Sequence, residues 1–501
     1  MRGLHFPILL AAGALWLPAQ SLADFEKRVT EFSLPNGLHF VVVERHEAPV
    51  VSFETLVNVG SAEDASGQTG LAHLFEHLAF KGTETIGTRD WPSEKRALEA
   101  VEEAADKLAA ERNKGPLADA GKLAGLDAEW KVAIDRAQTF VIPNQYAQIF
   151  QQNGGVDLLA NAGYDSTEFR YSLPSNRLEL WFLMESQRLL HPVMREFYRE
   201  RDVVAEEDRV NVEQSPQGRM VRNLLATAFQ AQPYRNPELG WPGDVASLRA
   251  SQAQAFFDKY YVPGNMTMTL VGDVNPAEAK RLAERYFGPL PARPLPPVPH
   301  ATDPPQNGPR TVEIYANTQP FLMAAYKRPD MYDKDDPVFD VIRLILSNGR
   351  TGMLTTQLVD EKRVATVAQL VTPFPRGRYP NLAVFFVVPA IGHTVAEAER
   401  ALDDLLSSLQ TKRIETEPLL RARTQARAAV IRDMATNAGL ASSLALYQAG
   451  YGDWRKLFTS VDDLNKVTAE DIQRVARQYF VINGRTLAVS GPQPVALGDN
   501  R

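Results

Sequence analysis

Gly70-Leu71-Ala72-His73-Leu74-Phe75-Glu76-His77-Leu78-Ala79-Phe80 is the stretch that decides how this chain is read. Taken as a helix, it puts His73 and His77 one turn apart on the same face. Two imidazoles at i and i+4 can grip one metal ion, and zinc is the usual choice. Glu76, three residues on from His73, faces that side too, where a carboxylate can take a proton from a metal-bound water. The competing reading is coincidence, two histidines sharing a face in a chain that has 8. A two-histidine site needs a third protein ligand, with a fourth position left for water.

A candidate for that ligand lies downstream, in Arg199-Glu200-Arg201-Asp202-Val203-Val204-Ala205-Glu206-Glu207. Helical spacing places Glu200, Val203, Val204 and Glu207 on one face, at i, i+3, i+4 and i+7. The two valines predict that this face is buried. Two carboxylates there need a metal, a cation or hydrogen bonds to compensate them. The alternative is a solvated acidic face, since Glu196, Glu206 and Glu213 lie nearby.

Around the motif the pattern is mixed. Upstream, Phe32 to Glu44 reads as a hairpin about Pro35-Asn36-Gly37, and Val50 to Val59 as a third strand. Lys81-Gly82-Thr83 ends the motif helix, with Gly82 as its C-cap. Ser93 to Asn113 and Asp127 to Val141 are charged helices, separated by Gly115-Pro116 and by Gly121 to Gly125. They read as a helical excursion, either a lid or partner arm or a solvated insertion. Val156 to Leu173 reads as strand pairs and Asn176 to Leu190 as an amphipathic helix. Ser251 to Tyr260, Met266 to Val271 and Pro276 to Phe287 read as helix, strand and helix. Pro289 to Pro309 is punctuated by proline and reads as a linker.

Beyond it the pattern returns. Asp258 to Gly272 aligns without gaps on Arg477 to Gly491, each a helix end, a turn, a strand and a glycine. The chain therefore reads as two related α+β domains. The helix Phe339 to Leu346 of the second half is apolar where the first half has His and Glu, so one half carries the chemistry.

With 501 residues and a net charge of −7, the chain is long enough for two domains and gives no reason to expect nucleic acid as a partner. Arg2, the apolar run Phe6 to Leu17, Pro18 and Ser21-Leu22-Ala23 form an export leader, with cleavage expected after Ala23. An uncleaved anchor is the alternative. No later stretch is apolar enough to span a membrane. With 0 Cys there are no disulfides and no lipid-bearing Cys, which for an exported enzyme suits a bacterial periplasm.

With these residues in hand, the chain resembles the pitrilysin/insulinase family of zinc peptidases. It looks most like the short bacterial members and the mitochondrial processing peptidase subunits. The resemblance rests on the H-x-x-E-H pattern of His73 to His77 with Phe80-Lys81-Gly82-Thr83, on Glu200-Arg201-Asp202-Val203-Val204 followed by Glu207, and on Val271-Gly272-Asp273. It implies one Zn2+ per chain, held by His73, His77 and Glu207, with Glu76 as general base. Glu200 is implied to hydrogen-bond a ligand His and hold its tautomer. Glu206 is the nearest competitor for the ligand role. Asn161-Ala162 is implied to hold the peptide as an added β-strand.

The implied fold is α+β, two homologous domains in which an antiparallel sheet is packed with helices, with paired chains enclosing a chamber. The expected boundaries are a leader over 1–23 and a catalytic zinc-binding domain over 24–288, with a helical insertion at about 90–143. A Pro-rich linker over 289–310 and a non-catalytic domain over 311–501 follow. Three features depart from the family pattern. His77 and Glu207 are 130 residues apart, which the insertion accounts for. The segment after Asn161 is about two residues short. The family's C-terminal Arg and Tyr, seven residues apart, are replaced here by Asp360 and Val367. The resemblance thus implies a zinc endopeptidase of the cell envelope acting on peptides or unfolded polypeptides. A homologous partner subunit would supply the Arg/Tyr pair, a homodimer being the alternative, with no stable membrane anchor once the leader is removed. The rival reading is a non-catalytic structural or peptide-binding subunit.

Overall fold

The computed structural model describes residues 22–491, so all but the last two residues of the leader expected over 1–23 lie outside the described residues. Two mixed sheets organise them. The first comprises β1 (Val29–Ser33), β2 (His39–Glu44), β3 (Val50–Val57), β4 (Val156–Ala162), β5 (Thr167–Pro174) and β6 (Met266–Gly272), in the order β1-β2-β6-β3-β5-β4. The second comprises β7 (Arg310–Tyr315), β8 (Leu322–Arg328), β9 (Ala365–Phe374), β10 (Asn381–Pro389) and β11 (Arg485–Gly491), in the order β7-β11-β8-β10-β9.

Without β1, the two orders are the same. In each sheet one pair is parallel, β2 with β6 and β7 with β11, and the other pairs are antiparallel. The parallel pairs join strands far apart in sequence, as a crossover through the whole half requires. The repeat read from sequence is exact at the level of elements. The helix Ala250–Tyr260 and β6 correspond to the helix Ala469–Tyr479 and β11 at one constant offset.

Each half lends a helix to the other. The helix Pro216–Ala228 starts where Ser215 accepts from Gly218 N at 3.1 Å, with proline in the first turn. Its Met220, Leu224, Leu225 and Ala228 pack on Ile314, Met323, Ala325 and Ala488 of the second sheet. The sequence reading does not place this helix. Reciprocally, Leu440, Ala441 and Leu444 of the helix Asn437–Tyr451 pack on Val41, Val43 and Val271 of the first sheet. Thr269 Oγ1 donates to the Ala441 carbonyl at 2.8 Å across that contact. The two halves therefore share two apolar clusters beside the core of each, although residues 291–309 between them have no regular structure.

The excursion is a helical hairpin, Trp91–Arg112 and Ala120–Gln138. Gly121 and Gly125, read as separators, lie inside the second helix. Asp119 accepts from Lys122 N at 2.8 Å, and this cap with the packing of Trp130 outweighs a glycine cost of about 1 kcal/mol each. The hairpin docks through Ala97, Val101, Ala105, Leu108 and Trp130 on the main core. Trp130 meets Tyr198 edge to face at 4.9 Å, and Tyr198 also donates to Glu102, so the hairpin braces the helix Phe197–Asp208. Gly82 does not cap the motif helix. The helix ends at Leu78, and Gly82 (φ 103°) lets the next loop fold under Arg195.

Candidate metal centre

The motif helix spans Leu71–Leu78. Its start is fixed by a group remote from its own turn. Asp64 accepts from Gly70 N at 2.8 Å and from Ala72 N at 3.0 Å. Gly70 sits at φ 89°, and a Cβ there would lie 2.5 Å from the Leu239 carbonyl oxygen, so glycine is required. Leu71, Ala72, Leu74, Phe75 and Leu78 form the buried face. His73, Glu76 and His77 point the other way and are half-buried, and one ligand atom from each lies within 4.8 Å of the others.

The helix Phe197–Asp208 crosses this face and brings its carboxylates to it. Glu207 Oε2 is 3.2 Å from His73 Nε2, and Glu207 Oε1 is 3.7 Å from His77 Nε2. Glu200 Oε2 is 3.2 Å from His77 Nδ1. Its other oxygen takes Lys81 Nζ at 2.5 Å, and Lys81 also reaches Glu196 at 3.5 Å. Glu76 Oε2 stands 3.9 Å from His77 Nε2. Glu206 points away, paired with Arg209 at the surface, which separates it from the ligand role. A wider π-type turn over Arg209–Glu213 follows Glu207, held by Arg222 on Asp208 at 3.1 Å.

The two valines expected on one buried face are not both buried. Val204 is buried, but Val203 is 43% exposed, so the helix face is covered on one side only. Periodicity assigns residues to a face. What packs on that face is decided by the neighbouring helix, which here covers Glu200 and Val204 and leaves Val203 to solvent.

The electrostatics follow from this crowding. Burial lowers the His73 pKa, helped by the charge of His77. Burial also acts on His77, but Glu200, Glu76 and Glu207 together outweigh it and raise the pKa. Burial raises the Glu76 carboxyl, and Glu207 and Glu200 add to the effect against His77. Burial would raise Glu200 as well, but His77 and Lys81 hold it below the usual range.

These contacts fit a cation between the histidines. When Nδ1–H of His77 donates to Glu200, its Nε2 is a lone pair, and that lone pair faces the oxygens of Glu207 and Glu76. Acceptor against acceptor is stable only with a positive charge between them. A cavity of about 250 Å³ lined by Glu76, His77, Phe80, Lys81, Asn144, Ala147 and Glu200 opens beside them.

Asn161 and Ala162 end β4, the terminal strand of the first sheet, whose outer edge has no strand neighbour among the described residues. Asn161 is exposed and Ala162 buried. Asp360 is exposed and Val367 lies on β9, the terminal strand of the second sheet. Sequence reasoning missed Lys81, Asp64 and Arg195. Lys81 lies three residues past the end of the motif helix, in a loop whose path to Glu200 helical spacing does not give. Asp64 and Arg195 carry no local signal. Arg195 is fully buried and donates to Glu94 and to the carbonyls of Lys81, Thr83 and Ile86, tying the motif loop to the inserted hairpin.

Two family models match the chain: "Insulinase (Peptidase family M16)" over residues 40–109 and "Peptidase M16 inactive domain" over residues 247–426. The zinc protease PqqE of Helicobacter pylori is 26% identical over 495 residues, covering 96% of this chain and 96% of that protein. A crystal structure of a protease from Helicobacter pylori superposes with a TM-score of 0.77 at 22% identity, covering 93% of this chain and 99% of that one. The periplasmic protease PqqL from Escherichia coli superposes with a TM-score of 0.68 at 18% identity, covering 93% of this chain but 48% of that one.

Proposed function

The chain belongs to the insulinase family, peptidase family M16, and from that premise we propose that it is a zinc-dependent endopeptidase acting on peptides or unfolded polypeptides. The observation that carries this reading is the convergence of His73 Nε2 and His77 Nε2 on Glu207, with Glu200 fixing the far side of His77. His73, His77 and Glu207 would hold the ion. When bound, zinc supplies Lewis-acid polarisation of the scissile carbonyl and acidification of water.

Glu76 takes the proton of the attacking water and delivers it to the leaving amine. Its raised pKa brings it closer to working pH and makes it a stronger base. Glu200, itself held by Lys81, keeps His77 in the tautomer whose Nε2 is free. The open edge of β4 offers backbone donors and acceptors to an extended peptide, with Asn161 and Ala162 at its end. Asp360 and Val367 supply no oxyanion donor. On this reading a homologous partner subunit brings the Arg/Tyr pair, and the chain is the catalytic subunit. The leader, and the likeness to the periplasmic protease PqqL of Escherichia coli, support a periplasmic location. Among the described residues no helix is long and apolar enough to cross a membrane.

The test is cleavage of a pool of unstructured peptides by the purified, zinc-loaded chain, with Glu76→Gln beside it. Cleavage by wild type, alone or once the partner subunit is added, and not by Glu76→Gln is the expected result. Binding of peptides with no turnover at any zinc level, alone or with a partner, would favour a non-catalytic subunit.

A further inference from the structure

The connection between β9 and β10 crosses from the second half onto the first. Arg378 donates to Glu63 at 3.3 Å and also to the Asn58 side chain and the Asp165 carbonyl. Tyr379 OH reaches Glu63 at 3.2 Å. These bonds clamp the connection against the segment that follows β3 and the turn that follows β4. Arg376, two residues earlier, is exposed and makes no hydrogen bond or ion pair among the described residues. A Cβ built on Gly163, the first residue after β4, would lie 3.4 Å from Arg376 Nη2. The guanidinium therefore stands at the end of the strand that carries Asn161 and Ala162.

Arg376, Glu238, Tyr164, Leu239, Phe374 and Pro375 line a cavity of about 470 Å³ between the halves. This cavity adjoins the metal centre. The Leu239 carbonyl packs on Gly70 at the start of the motif helix, and Glu238 feels the charge of Glu76. Glu238 also feels Arg376 but does not pair with it, so the guanidinium keeps its donors for a ligand. A guanidinium fork on a clamped loop, above apolar walls, suits a carboxylate, which it can take in two parallel hydrogen bonds. The clamp reduces the ordering cost of that contact.

We propose that Arg376 is a specificity-determining residue of this chain, taking a carboxylate of the peptide at the end of β4. The carboxylate comes from an acidic side chain or from the peptide's C-terminus. The inference rests on the peptidase reading above. It assigns to the second half a direct role in substrate choice.

The experiment uses the full zinc-loaded chain and one neutral, amidated peptide. In one series a single Glu is walked along it, and in the other its C-terminus is left free. KM and kcat are measured for wild type, Arg376→Ala and Arg376→Glu. Wild type is expected to prefer a carboxylate-bearing peptide by about tenfold or more, through KM. In Arg376→Ala that ratio falls to about one, and Arg376→Glu prefers a peptide with Lys at the same position. Which series shows the ratio distinguishes side chain from C-terminus. A preference that survives Arg376→Ala, or equal losses on all peptides, overturns the proposal. Binding of the same peptides to the Glu76→Gln chain, read by fluorescence anisotropy, separates the two readings. Binding that depends on Arg376, with no turnover by wild type even with the partner subunit present, keeps this inference and sinks the peptidase. Turnover with no carboxylate preference sinks this inference alone, and neither turnover nor binding sinks both.

Discussion

The motif helix of the first half and the helix Asp336–Leu346 of the second are the same scaffold with different chemistry. Setting Gly82 against Gly349, the buried residues Leu71, Ala72, Leu74, Phe75 and Leu78 fall on Val338, Phe339, Val341, Ile342 and Ile345 without a gap. His73, Glu76 and His77 then fall on Asp340, Arg343 and Leu344, all half-buried as they are. The crossing helix behaves likewise. At the offset that superposes β6 on β11, Glu200 falls on Leu419 and Glu207 on Ala426, which are 8% and 6% exposed. Three of these five positions, His77, Glu200 and Glu207, become Leu344, Leu419 and Ala426, and the other two become Asp340 and Arg343. The fold therefore needs neither histidine and none of the three glutamates, since the second half packs the same two helices without them.

The sharpest way to break this comparison is to remove the chemistry and keep the scaffold. Glu76→Gln should lower kcat by about 10²- to 10⁴-fold while zinc content, read by metal analysis, stays at one per chain. Glu207→Ala, the second half's own residue, should remove both zinc and activity. If either chain kept wild-type turnover, Glu76 or Glu207 would not be what distinguishes the halves.

The exchanged helices test the scaffold itself. Leu224 and Leu440 are each fully buried in the other half's territory. Leu224→Ala and Leu440→Ala should each cost about 2–5 kcal/mol in denaturant unfolding, by similar amounts. A large inequality would show that one half leans on the other, and that the exchange is not reciprocal in energy.

Glu200→Leu puts the second half's residue beside His77. Zinc affinity, measured by competition with a chelator, should fall by about 10- to 100-fold, with Tm unchanged or higher. A lower Tm with unchanged affinity would make Glu200 a packing residue.

The smallest effect comes from β3. Glu54 is buried at the contact with the helix Asn437–Tyr451, and burial, with Glu168 adding, pushes its pKa up to about 8. Its counterpart, through the pairings of Thr269 and Ala488, is Met323 on β8. A folded pKa above the ordinary 4.5 means that the group's contribution is complete below about 4.5 and is lost as pH rises through about 8. Glu54→Met should therefore flatten the fall in stability between pH 5 and 9, by on the order of 1–3 kcal/mol. The same slope in wild type and variant would place the titration elsewhere.

Much of this was legible because it is local. The spacing of His73, Glu76 and His77 sets a shared face wherever that segment is helical, since 3.6 residues make a turn. The gapless match of Asp258 to Gly272 with Arg477 to Gly491 was enough to announce two related halves.

What the tertiary structure decided is everything that depends on which surfaces meet. Glu207 reaches His73 across 134 residues of chain, and no spacing rule encodes that contact. Val203 shows the limit from the other side, because a helical period cannot say which half of a face a neighbour will cover. Asp64 on the motif helix, the exchanged helices and Arg376 beside Gly163 join segments whose intervening lengths carry no information about their meeting. Local geometry is written in the order of residues. Long-range pairing is chosen by the burial of apolar surface over the whole chain, and only the packed molecule contains that choice.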